Sequence, residues 1–106
     1  MQIEKLTEGE EMVMKAVWDC KKEPVLSEIM ERVNGVYGKD WRPQTVSTFL
    51  AKLVRKGYLK MQRDGKIYTY KTLVKAGTYN KEQLKRLYIF LYGSDKETVK
   101  LDLEDL

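Results

Sequence analysis

The sequence predicts a mainly α-helical chain with one small β-hairpin: three helices, then the hairpin, then further helix. Three observations lead there. Apolar residues recur at three- and four-residue spacing in three windows before Gly57. The pattern changes to alternation on either side of Asp64-Gly65, and helical spacing returns from Asn80.

The first helix opens at Thr7, whose hydroxyl can cap the free amides while Glu10, three residues on, reaches back to close a capping box. Glu8, Glu10 and Glu11 suit the positive end of the helix dipole. Val13, Ala16, Val17 and Cys20 form its buried stripe, with Trp18 at the edge, and Pro24 stops it. A second helix over residues 26–37 puts Leu26, Ile29, Met30, Val33 and Tyr37 on one side, and Gly38 suits a left-handed C-cap. After a short connector, Pro43 begins a third helix that runs to about Lys56, at a position where its missing N–H is harmless. Val46, Phe49, Leu50, Leu53 and Val54 make its apolar face, and Gln44, Thr45, Thr48 and Lys52 form a polar stripe opposite. Gly57 ends it. The alternation over residues 60–70 centres on Asp64-Gly65, a strong signal for a tight hairpin, with Tyr68 and Tyr70 expected in its core. Three helices and a hairpin in this order are a winged helix-turn-helix, expected over residues 1–76.

Residues 77–106 change character. Leu84, Leu87, Tyr88 and Leu91 form a stripe, but Ile89, Phe90 and Tyr92 are apolar as well. A helix lying on one small domain needs a single apolar face. The excess predicts a second covered surface, most simply a homodimer through Leu84, Leu87, Tyr88 and Leu91. Alternation in Val99-Lys100-Leu101-Asp102-Leu103 leaves the last segment open between helix and strand.

Charge is segregated along the 106 residues. Residues 39–75 carry ten Lys/Arg against two acidic residues, a local charge of +8 in a chain whose total is +4. Cations set against phosphates release counterions, the sequence-independent driving force of DNA binding. The basic third also contains the two elements suited to a polyanion's grooves. Arg42, Gln44, Thr45, Ser47, Thr48 and Lys52 are the expected contacts from the third helix, which would lie in the major groove. Arg63 and Lys66 beside the hairpin turn are expected on the backbone. The partner predicted is double-stranded DNA. The alternative is a winged helix used for protein contact or dimerisation without specific DNA binding, which added salt would barely weaken.

Enzymatic function is not expected. The chain has no histidine and a single cysteine, Cys20, too few for a zinc site, and it has no phosphate-cradling glycine motif. No metal or cofactor is predicted. Cys20 reads as a small buried hydrophobe. The lone thiol, the lack of any apolar run near the ~18 residues of a membrane span, and an N-terminus unlike a secretory signal predict a cytoplasmic protein without membrane attachment.

Glu10-Glu11-Met12-Val13-Met14-Lys15-Ala16-Val17-Trp18-Asp19 resembles the first-helix signature of the penicillinase-repressor (BlaI/MecI/CopY) family of transcriptional regulators. Ser27-Glu28-Ile29, Arg42-Pro43-Gln44-Thr45-Val46-Ser47-Thr48-Phe49-Leu50-Ala51-Lys52-Leu53, Lys56-Gly57 and Gly65-Lys66-Ile67-Tyr68-Thr69-Tyr70 follow in the family's order and spacing. Leu91-Tyr92-Gly93-Ser94-Asp95 is similar to the family's junction between its last two helices. The resemblance covers about residues 6–103. It implies a cytoplasmic homodimeric repressor that binds palindromic operators through the winged helix, dimerises through the C-terminal helices, and responds to an inducer or partner protein the sequence does not identify.

Overall fold

The computed structural model describes residues 3–106. In chain order they form α1 (Glu8–Trp18), α2 (Leu26–Tyr37), α3 (Pro43–Arg55), β1 (Leu59–Asp64), β2 (Ile67–Thr72), α4 (Ala76–Tyr92) and α5 (Lys96–Glu104). They divide into two compact units, the first ending at Ala76 and the second running Gly77–Leu106.

In the first unit the three helices pack on one another, and α1 and α3 also pack on the hairpin. Val13, Met14, Ala16 and Val17 from α1 meet Ile29 and Val33 from α2 and Val46, Leu50 and Leu53 from α3, all buried. Tyr58, Leu59 and Tyr70 close the core from the hairpin side. Each large side chain withdrawn from water in this way contributes about 1.5–3 kcal/mol before chain entropy is counted. The capping box at Thr7 is present: its hydroxyl accepts from the Glu10 amide, and its own amide donates to Glu10 Oε1 at 2.8 Å. Gly38 takes the left-handed conformation at the end of α2, with φ +63°.

The strands pair antiparallel, with Met61 opposite Tyr70, Arg63 opposite Tyr68 and Asp64 opposite Ile67. Opposite partners share a face, so Leu59, Met61 and Arg63 line up with Thr72, Tyr70 and Tyr68. The base of that face is buried on the helices and its free end carries Arg63 and Tyr68. The Tyr70 amide donates to the carbonyl of Pro24 at 3.0 Å, docking the α1–α2 connection along β2.

Five details depart from the sequence expectations. Cys20 lies beyond the end of α1 and is half-buried rather than fully buried in its stripe. Val54 is 38% exposed, because it lies past Leu50 at the margin of the buried arc rather than within it. Tyr70 is in the hairpin core as expected, but Tyr68 is exposed near the tip. The turn residues are Gly65 and Lys66, so Lys66 sits in the loop itself, and Gly65 supplies its φ of +67°. Helix α4 starts at Ala76, four residues before the apolar stripe announces it; burial of Tyr79 outweighs the ~1 kcal/mol penalty of Gly77.

The last segment is helical, and Asp95 decides it. Its carboxylate accepts from the Thr98 amide at 3.1 Å and the Thr98 hydroxyl at 2.7 Å, an N-cap that a strand would not use. The Thr98 hydroxyl and amide hold that carboxyl below the usual range. Within this second unit, Tyr88 donates to the Ser94 carbonyl at 2.6 Å and Tyr92 to Asp102 at 2.8 Å, tying the α4–α5 turn.

Candidate nucleic-acid interface

The exposed side of α3 is built from its N-terminus. Arg42 is the N-cap residue, in extended backbone and with no side-chain cap bond, and the first turn holds no acidic residue. Pro43 has no N–H, and the Thr45 and Val46 amides donate to the Arg42 carbonyl at 3.0 and 3.2 Å, so what the helix start offers an anion is the uncompensated positive end of its dipole. Gln44, Thr45, Ser47, Thr48 and Lys52 are all exposed on the arc opposite Val46, Leu50 and Leu53. The Thr48 hydroxyl donates to the Gln44 carbonyl at 2.9 Å, so it presents its oxygen as an acceptor and its methyl group outward.

The connector before α3 is fixed by a residue the sequence did not single out. Asn34 accepts from the Trp41 amide at 2.9 Å and donates to the Trp41 carbonyl at 3.1 Å. Both backbone groups of Trp41 are thus bound, which sets how the chain enters α3. The Trp41 indole stacks on Phe49 with centroids 4.9 Å apart, and the Lys52 ammonium lies 5.7 Å from the Phe49 ring centroid. Phe49, placed by its spacing on the apolar face, is half-buried and supports Lys52.

Gly9 makes the room for that ring. A Cβ added there would meet Phe49 Cζ at 2.5 Å and Cε1 at 2.7 Å. In an ordinary helix position Gly→Ala stabilises by roughly 0.5–1 kcal/mol. Here the sign reverses: Gly9→Ala is predicted to destabilise by about 1–3 kcal/mol as the ring is forced off Trp41, and to weaken DNA binding with it. Urea unfolding and a DNA titration check this; an alanine variant more stable than the parent would contradict it.

At the hairpin tip, Arg63 Nε donates to the Gly65 carbonyl at 2.8 Å and the guanidinium stacks 5.7 Å from the Tyr68 centroid. Those two contacts hold the fork in place and leave its terminal nitrogens for a partner. Lys66 is exposed in the adjacent turn. One further cation was missed. Arg55 is exposed seven residues after Thr48, two turns along the same arc, and extending the polar stripe past Lys52 would have found it.

The apolar candidates on α4 are open to solvent. Leu84, Leu87 and Leu91 are each more than half exposed, Tyr88 is half-buried and Phe90 is 84% exposed. Between α4 and α5 a cleft of about 310 Å³ is floored by Leu84, Tyr88, Val99 and Leu103 and rimmed by Lys81, Lys85 and Lys96. No helix among the described residues is long and apolar enough to cross a membrane.

Comparison with known proteins agrees with this geometry. The family described as penicillinase repressor matches residues 6–103. The methicillin resistance regulatory protein MecI of Staphylococcus aureus strain N315 is 33% identical over 69 residues, which cover 65% of this chain and 54% of that protein. MecI of Mammaliicoccus sciuri is 32% identical over the same length. The chain spans about half the length of these curated relatives. Among solved structures, Bacillus licheniformis BlaI in its monomeric form in complex with the blaP half-operator superposes with a TM-score of 0.59 at 24% identity, over 74% of this chain and 92% of that one. The DNA-binding domain of the repressor BlaI gives 0.60 at the same identity and coverage. The fold of these neighbours is the winged helix expected from the sequence, and the matched family comprises regulators rather than enzymes. With the match extending over nearly all of its length, the chain belongs to the penicillinase repressor family.

Proposed function

We propose that the protein is a sequence-specific DNA-binding transcriptional repressor that acts as a homodimer on a palindromic operator in the cytoplasm. The observation that carries this reading is the placement of the basic third. Its cations and short polar side chains lie on the open arc of α3 and at the hairpin tip. Residues 1–76 serve as the DNA-binding domain and residues 77–106 as the dimerisation segment. Helix α3 lies in the major groove: Gln44, Thr45, Ser47 and Thr48 meet base edges, Lys52 meets phosphate or guanine, and Arg42 meets the backbone at the helix start. Relatives support the partner. BlaI was solved in its monomeric form in complex with the blaP half-operator. Leu84, Leu87, Tyr88 and Leu91 form the contact between copies, joined by Phe90, whose exposure no single protomer explains.

The wing grips without reading sequence, because Arg63 and Lys66 reach out from a tight turn as cations suited to phosphate. Arg63→Ala combined with Lys66→Ala is predicted to weaken binding to every duplex about equally. The slope of log affinity against log salt should fall by roughly one unit for each phosphate no longer neutralised. Fluorescence titration of specific and random duplexes at several salt concentrations tests it. A loss confined to one operator sequence would contradict the assignment, and affinity indifferent to salt in the parent would contradict DNA binding itself.

A further inference from the structure

Lys56 belongs to the basic third but is half-buried. As the C-cap residue of α3, it donates from Nζ to Glu10 Oε1 at 2.6 Å and to the Lys5 carbonyl at 2.9 Å. Glu10 is 1% exposed and is the one charged side chain among the buried residues described. Burial alone would raise its pKa, yet the bonds from Lys56 and Thr7 outweigh that and hold it below the usual carboxylate range. The Glu10 carboxyl is therefore ionised at neutral pH. Two residues on, the Tyr58 hydroxyl donates to the Glu4 carbonyl. Together these bonds strap residues 4–10 across the corner Lys56-Gly57-Tyr58.

That corner has a particular position in the chain. Helix α3 ends at Arg55 and β1 begins at Leu59, so the residues between them set how the hairpin leaves the helix. Gly57 turns there at φ +80°, and Tyr58 bonds back to the Leu53 carbonyl at 3.0 Å. A buried ion pair is a weak source of stability, because desolvation offsets most of its attraction. What an ammonium does supply is direction: several donors fixed at once on a carboxylate and a carbonyl.

We propose that Lys56 is a positioning residue. Anchored on Glu10 and on the Lys5 carbonyl, it sets the angle between the recognition helix and the wing, and it makes no contact with DNA. The inference rests on the DNA-binding reading above and adds a cation that acts through geometry rather than through charge on phosphate.

The test compares three proteins. Lys56→Met alone strands a buried carboxylate and endangers the fold. The main variant is therefore Lys56→Met with Glu10→Gln, which removes both charges and keeps an acceptor for the Thr7 amide. Lys56→Arg is the conservative control. Dissociation constants are measured for an operator selected by the parent and for a random duplex, each as a function of salt. The double variant should lose roughly tenfold on the operator, the scale of a coupling carried by positioning. Its affinity for the random duplex and its salt slope should match the parent, and Lys56→Arg should recover most of the operator affinity. Equal losses on both duplexes with a slope lower by about one unit would make Lys56 a phosphate contact and overturn the proposal. Unchanged operator affinity in a folded double variant would overturn it as well. A parent that prefers no duplex would overturn the DNA-binding reading, and this inference with it.

Discussion

Leu87→Asp together with Leu91→Asp is predicted to give a monomer that keeps a folded winged helix and loses operator affinity by roughly 10²–10⁴-fold. Both leucines are more than half exposed on α4, so the carboxylates disturb no interior of the protomer. Placed in an interface between copies, each would have to shed its hydration without a partner, which forbids association. The affinity loss follows from valence. Two linked recognition helices make the second half-site an intramolecular contact, and a monomer forfeits that gain. Sedimentation reads the mass, operator titration reads the affinity, and circular dichroism confirms that α1, α2 and α3 remain. An unmodified protein that sediments as a monomer at micromolar concentration would end the homodimer assignment.

The second large effect is predicted on the face of α3. Gln44→Ala and Thr48→Ala should each remove about 1–3 kcal/mol from binding to the preferred site and relax the preference at the base pair concerned. The two changes together should exceed either alone without summing strictly, because the residues are one turn apart and share a hydrogen bond. The geometry sharpens what each reads. Gln44 has a free amide with donor and acceptor, suited to the paired groups of adenine. Thr48 has committed its proton to the Gln44 carbonyl, so it offers an acceptor and a methyl group, suited to a cytosine amine or a thymine methyl. Neither substitution exposes or removes core, so stability should barely move. Specific affinity unchanged in both variants would place α3 outside the groove.

The elements most readable in the sequence were those governed by local rules. The Thr7–Glu10 box, the left-handed Gly38, Pro43 at the head of α3 and the turn at Gly65 each depend on residues within four positions of one another. The buried arc of α3 was readable from spacing, except at its margins, where Val54 is exposed and Phe49 half-buried because the true arc is narrower than the run of apolar residues. The onset of α4 was not, because Gly77 and Thr78 are poor helix formers and carry no apolar period. The positions of the polar residues on α3 were legible for the same reason as its core, since both follow from one helical period. What supports them was not. Asn34 on Trp41, Gly9 beneath Phe49, and Lys56 on Glu10, 46 residues away, are tertiary pairings, and no periodicity announces them. Glu10 is the sharpest case. Its position predicted a capping partner, which it is, yet the same carboxylate is also the buried anchor for the end of α3.

Selection of bound sequences from a random duplex pool tests the central claim most directly, because it reads specificity and symmetry in one experiment. The predicted outcome is recovery of a palindrome whose half-sites are centred about one helical turn, ~34 Å, apart, as two recognition helices related by a two-fold axis require. A pool that shows no enrichment, or that converges on a single site without two-fold symmetry, would contradict it.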